Sequence, residues 1–161
     1  MTQKKFRCTE TENRIIKWMA RNAILLLRVS TGIIFFWFGI LKYFDGMSPA
    51  EGLAVDTIDI ITFGLFSEKT ILVGLATWEA AIGIGLIFNV FIKQTLILLL
   101  LQMAGTFMPV ILFTDQVFHV FPYSFTLEGQ YIVKNIVIIS AAIAIGATLK
   151  GGKITTGQDV G

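Results

Sequence analysis

Four apolar stretches of the chain each contain residues that hydrocarbon does not tolerate alone. Arg28 and Lys42 stand in the first, Glu79 in the second, Gln102 and Thr106 in the third, and Lys134 and Asn135 in the fourth. An ionised group at the centre of a bilayer costs at least about 2.5–3.5 kcal/mol on insertion scales, so such residues face protein or water. Their shared chemistry is charge and hydrogen bonding: the cations donate, the carboxylate accepts and the amides do both.

Spacing places them on helical faces. Arg28, Gly32, Phe35, Gly39 and Lys42 follow one another at intervals of four and three, which makes one stripe. Gln102, Thr106 and Pro109 repeat that spacing, Tyr131 and Asn135 share a face with Lys134 beside them, and Glu128 stands just before. Glu79 has Trp78 as its neighbour and Gly83 one turn on. Polar seams on four helices imply one shared interior. Its candidate polar lining is Arg28, Lys42, Glu79, Gln102, Thr106, Glu128, Lys134 and Asn135, and its candidate walls are Phe35, Trp37, Trp78 and Tyr131. Alternating directions put Lys42, Glu128 and Lys134 toward one end, Arg28 toward the other and Glu79 between. To remain ionised at that depth Glu79 needs a cation, for which Lys134 or Arg28 is the expected partner. The competing explanation is an ion-pair network that only sets helix register.

The elements that carry these residues follow from hydropathy. Of 161 residues 55% are hydrophobic and 15% charged, and mean hydropathy is +0.75, above an average soluble domain. Runs at about 22–43, 71–92, 94–113 and 131–149 are each long enough to cross a hydrocarbon core of roughly 30 Å. The first is too long for a signal-peptide core and lacks a small-residue cleavage site, so it is expected to be retained. The expected fold is all-α: a single-domain integral membrane four-helix bundle over 1–161, with a short amphipathic interfacial helix between spans one and two. Ser48-Pro49-Ala50-Glu51 has the form of a capping box with proline at the first helical position, and apolar residues recur at helical spacing after it. The segment Thr114 to Gln130, with Phe118, Phe121, Tyr123 and Phe125 around Pro122, suits a membrane boundary and a cap over the bundle mouth. No internal repeat of 20–50 residues is present.

Basic residues orient the spans. Lys4, Lys5, Arg7, Arg14, Lys17 and Arg21 precede span one, Lys93 lies between spans two and three, and Lys150 and Lys153 follow span four. By the positive-inside rule the basic segment 1–21, that turn and the tail 150–161 are cytoplasmic. The connection between spans one and two is acidic, and Thr114 to Gln130 contains no Lys or Arg.

Several chemistries are disfavoured. The net charge of +2 gives no basic surface for nucleic acid. Cys8 is the single cysteine and His119 the single histidine, so no disulfide relay, cysteine-rich metal site or two-histidine haem site forms within one chain. Cys8 reads as an incidental thiol and His119 as an interfacial group. Trp18, Trp37 and Trp78 read as boundary anchors or packing groups before they read as walls for a ring-shaped ligand. Nucleotide loops, nucleophile elbows and metal motifs are absent.

Arg28-Val-Ser-Thr-Gly32 with Phe36-Trp-Phe-Gly39-Ile-Leu-Lys42-Tyr-Phe44, then Trp78-Glu79 with Gly83, Gly105-Thr-Phe107, and Leu127-Glu-Gly-Gln-Tyr131 with Lys134-Asn135 form an ordered series. This series, spread over all four spans, resembles the DoxX-like membrane proteins. The resemblance implies a four-helix bundle of the bacterial inner membrane. It also implies kinship with subunits of oxidoreductase systems, including a thiosulfate:quinone oxidoreductase, and of oxidative-stress assemblies. The chain has no self-contained catalytic motif and no intrinsic cofactor site, so a redox role requires a quinone-like molecule or an oxidoreductase or stress-response partner. Three readings follow: a membrane subunit of such a system with a quinone-like ligand in its polar pocket, a small transporter that would need to oligomerise, and an assembly protein without ligand.

Overall fold

A computed structural model describes residues 9–44, 46–48, 50–152 and 154. Four of its helical segments are long and apolar enough to cross a bilayer, so the chain is a multi-pass helical membrane protein. The expected four-helix bundle is present. The cysteine Cys8, the basic residues Lys4, Lys5, Arg7 and Lys153, and Pro49 lie outside the described residues.

The first helix, α1 (Glu10–Leu41), begins well before the expected boundary near Asn22. A capping box starts it: Thr9 Oγ1 accepts from Glu12 N–H at 3.4 Å, and Glu12 Oε2 accepts from Thr9 N–H at 2.5 Å. At about 1.5 Å per residue its 32 residues span roughly 48 Å, so its first turns reach beyond a 30 Å hydrocarbon core. Those turns carry Arg14, Lys17 and Arg21, three and four residues apart, on one face.

A short helix, α2 (Glu51–Ile61), follows as expected between the first two spans. Its start differs from the sequence expectation: Ala50 is the N-cap, in a left-handed conformation at φ 55°, and its own side chain makes no capping hydrogen bond. Glu51 nevertheless reaches back as a capping-box acid would, accepting from the backbone N–H groups of Gly46 and Ser48 at 3.4 Å each. The second span, α3 (Glu68–Phe88), is capped by Ser67 and ends at Asn89 in the left-handed region.

The packing of α1 against α3 is backbone on backbone. A Cβ on Gly83 would lie 2.5 Å from Phe36 N, and one on Gly39 would lie 2.7 Å from Ala80 N. The glycine stripe of span one therefore serves the neighbouring helix, with glycines on both sides admitting close approach.

The turn after α3 is tight, and α4 (Ile92–Phe107) returns across the membrane with α5 (Pro109–Leu112) as its continuation. The break at Met108 has a covalent cause. Pro109 lacks an N–H, and its ring would clash with the Gly105 carbonyl four residues back, which accepts instead from Met108 N–H at 3.1 Å.

The segment to the last span is more ordered than a plain loop. It comprises α6 (Thr114–Val117) and a hairpin of β1 (Phe118–Val120) and β2 (Ser124–Phe125). The last span is α7 (Leu127–Ala147). Thr126 ties hairpin to helix by donating to Gln116 O at 2.6 Å and accepting from Gly129 N–H at 3.1 Å. Phe118 is only 8% exposed and stacks with Phe121 and Phe125, so it is core, whereas Phe121 and Tyr123 are exposed.

Two apolar clusters hold the bundle. Phe35, Ile82, Leu86, Leu96, Leu99, Met103, Ala142 and Ile145 close the half nearest the α3–α4 turn. Leu53, Val117, Phe118 and Ile132 join α2, α6, the hairpin and α7 at the opposite end.

Candidate functional site

Between the two clusters lies a cavity of about 650 Å³. It reaches from α1 beneath α2 to α3, α4 and α7, and Leu53, Thr57 and Ile58 of α2 line it from above.

At its base Glu79 is 9% exposed. Its Oε2 is 2.7 Å from Lys42 Nζ, and its Oε1 accepts from Gln102 Nε2 at 2.9 Å. Both side chains of the ion pair are nearly buried, at 11% and 12% exposure. Thr106 Oγ1 donates to the Gln102 backbone carbonyl at 2.8 Å, a bond within α4. Three helices thus meet on one carboxylate.

The expected partners of Glu79 were Lys134 or Arg28, and the structure places Lys42 there instead. The reason is register. Gly39 sits level with Glu79, since a Cβ on Gly39 would be 3.0 Å from Glu79 Cβ. Lys42 is only one turn further on, and helical side chains lean toward the helix N-terminus, which brings its ammonium back down to that level. α1 ends well short of the start of α3, as the Tyr43–Thr77 hydroxyl contact at 2.8 Å shows. Lys42 is therefore deeper than the end of its hydrophobic run suggested.

Other candidates separate cleanly. Phe35, Lys42, Trp78, Glu79, Gln102, Thr106, Tyr131 and Asn135 all line the cavity. Arg28, Trp37, Glu128 and Lys134 do not. Arg28 Nη1 donates to Leu86 O at 2.5 Å and to Ile87 O at 3.4 Å, satisfying carbonyls at the negative end of α3. Trp37 is 64% exposed on the outside of the bundle. Lys134 is exposed and holds its Nζ 5.2 Å from the centre of the Tyr131 ring. Glu128 lies in the first turn of α7, where a negative charge complements the helix dipole.

The sequence reading missed the roof, formed by Leu53, Thr57 and Ile58, and the open wall positions Gly74 and Gly105. The spacing of Leu53 and Thr57 on one face of α2 was a usable signal. Trp78, about 15 Å along α3 from Glu68, lies too deep for a boundary anchor. Its Nε1 donates to Leu98 O at 3.2 Å, bridging α3 and α4.

The pocket presents Lys42, with two ammonium hydrogens beyond the one given to Glu79, and the Asn135 amide to an otherwise mostly apolar volume. Such a site suits an uncharged head with hydrogen-bonding oxygens and an apolar body. Compared with known protein families, curated proteins and solved structures, the chain shows no significant match.

Proposed function

We propose that this chain is a membrane subunit of a redox or oxidative-stress system whose intramembrane cavity binds a quinone-like molecule. The observation that carries the reading is the Lys42–Glu79–Gln102 network opening into a mostly apolar cavity of about 650 Å³. Lys42 and Glu79 neutralise each other, so an anionic or cationic head would bring an unbalanced charge into a poorly hydrated site. A quinone carbonyl brings none and accepts from Lys42 or Asn135. The ordered series of span motifs resembling DoxX-like proteins supports the same reading. With one cysteine and one histidine in the chain, electrons would pass through a partner oxidoreductase. The proposed location is a bacterial inner membrane with both termini cytoplasmic, because the basic residues gather there.

A purely structural role is favoured by one fact: both carboxylate oxygens of Glu79 are engaged by residues of its own chain. Mass spectrometry of the protein extracted in mild detergent separates the two. The wild type should carry a quinone that Lys42→Met loses per folded molecule, whatever its stability. A wild type without bound small molecule, with Lys42→Met merely less stable, sinks the ligand reading.

A further inference from the structure

Within the four long helices, most glycines have a packing reason. A Cβ at Gly32, Gly39, Gly83, Gly85 or Gly129 would meet neighbouring atoms at 3.0 Å or closer, and one at Gly146 would touch Leu96 Cδ1 at 3.7 Å. Gly74 of α3 and Gly105 of α4 are different, since a Cβ at either would meet nothing within 4 Å. Glycine inside a helix is unfavourable relative to alanine, so these positions need another explanation. Both line the cavity, and both are exposed on the outside of the bundle.

They lie at similar depth, each about a turn from Trp78 or Leu101, which are also exposed and also line the cavity. The cavity wall between α3 and α4 is therefore a cleft that carries no side chain at Gly74 or Gly105 and has the Trp78 indole one turn below. Exposed lining also occurs at Ile34 (45%) of α1 and Tyr131 (37%) of α7, and at Ile61 (46%), Phe66 (50%) and Thr70 next to α2, but each of these positions carries a side chain. α2 lies over the end above, through Leu53, Thr57 and Ile58. Because α3 and α4 span the membrane, the exposed cleft faces acyl chains.

We infer that the α3–α4 cleft is a lateral portal, through which a membrane-dissolved amphiphile puts its head against Lys42 and Trp78 while its tail remains in the bilayer. This rests on the quinone-binding reading for the identity of the head, but the portal is a separate claim. A tail that stays outside has no length limit, whereas a molecule enclosed whole must fit about 650 Å³.

The test uses the full chain in nanodiscs with Trp18→Phe and Trp37→Phe, so that Trp78 alone reports. Decylubiquinone and ubiquinone-10, dosed by mole fraction in the lipid, should both quench it saturably. Gly74→Leu and Gly105→Leu should weaken both by roughly tenfold or more, because a leucine side chain would occupy the cleft through which the ligand must reach. Val137→Leu, on the exposed outer face of α7 and outside the cavity lining, should leave both unchanged. If either leucine variant fails to accumulate, the corresponding alanine variant supplies a smaller block.

Quenching by decylubiquinone without ubiquinone-10 would overturn the portal and leave the quinone reading standing. So would glycine variants that bind both quinones like the parent, or an equal loss of binding on Val137→Leu. If neither quinone quenches, the quinone reading fails, and dibrominated phosphatidylcholine decides the portal. Quenching of Trp78 by that lipid, relieved in the leucine variants, supports it; quenching that is absent or unrelieved overturns it.

Discussion

Replacing Glu79 by Gln keeps its shape and removes its charge, leaving the Lys42 ammonium 11% exposed with no counter-ion. At 2.7 Å and an effective dielectric of about 20, the gross attraction of the pair is on the order of 6 kcal/mol. Desolvation of the two ions returns several kcal/mol of that, so the expected net coupling is about 2–3 kcal/mol. Removing either partner alone should destabilise by about 3 kcal/mol or more, because a buried charge is stranded. Removing both, in Lys42→Met/Glu79→Gln, should cost little beyond either single change. A coupling of that size is roughly a 30- to 150-fold effect on the unfolding equilibrium. Reversible unfolding of the four proteins in detergent or bicelles, combined as a double-mutant cycle, measures it directly. Additive losses, with the double variant the sum of the singles, would show that Lys42 and Glu79 do not act as a pair and would refute the register argument built on Gly39.

The glycines should divide by environment: Gly83→Ala should destabilise and weaken α1–α3 packing, with a Cβ 2.5 Å from Phe36 N, whereas Gly74→Ala and Gly105→Ala should stabilise by about 0.5–1 kcal/mol. Melting temperatures of the three variants decide this, and equal losses at all three positions would contradict it. Arg28→Leu should cost about 1.5–3 kcal/mol through its lost carbonyl contacts with the end of α3, yet leave ligand content per folded molecule unchanged, since Arg28 lies outside the cavity. A cysteine at Asn13 or Ile154, in a Cys8→Ser background, should resist an impermeant thiol reagent applied to intact cells; labelling from outside would reverse the proposed topology.

Much of this architecture is a direct consequence of composition along the chain. Twenty-residue apolar runs can satisfy their backbone groups in lipid only as helices, so span number and helical class follow from hydropathy alone. The inward placement of Glu79, Gln102 and Asn135 follows likewise from the cost of a polar group in hydrocarbon. Even the early start of α1 is written locally, in the Thr9-x-x-Glu12 box, although the onset of hydrophobicity near Asn22 obscures it. What the linear pattern does not contain is the axial offset between helices. Whether Glu79 meets Lys42, Arg28 or Lys134 depends on a shift of α1 along α3 by one or two turns, and every such shift leaves each helix equally apolar. Contact between Gly39, Gly83 and the facing backbone selects one offset, and the backward lean of Lys42 completes the pair. The cavity is equally non-local. It exists because α2 and the hairpin segment pack into their own cluster at one end, away from the cluster at the other, and only that separation turns Gly74 and Gly105 from weak helix residues into an opening.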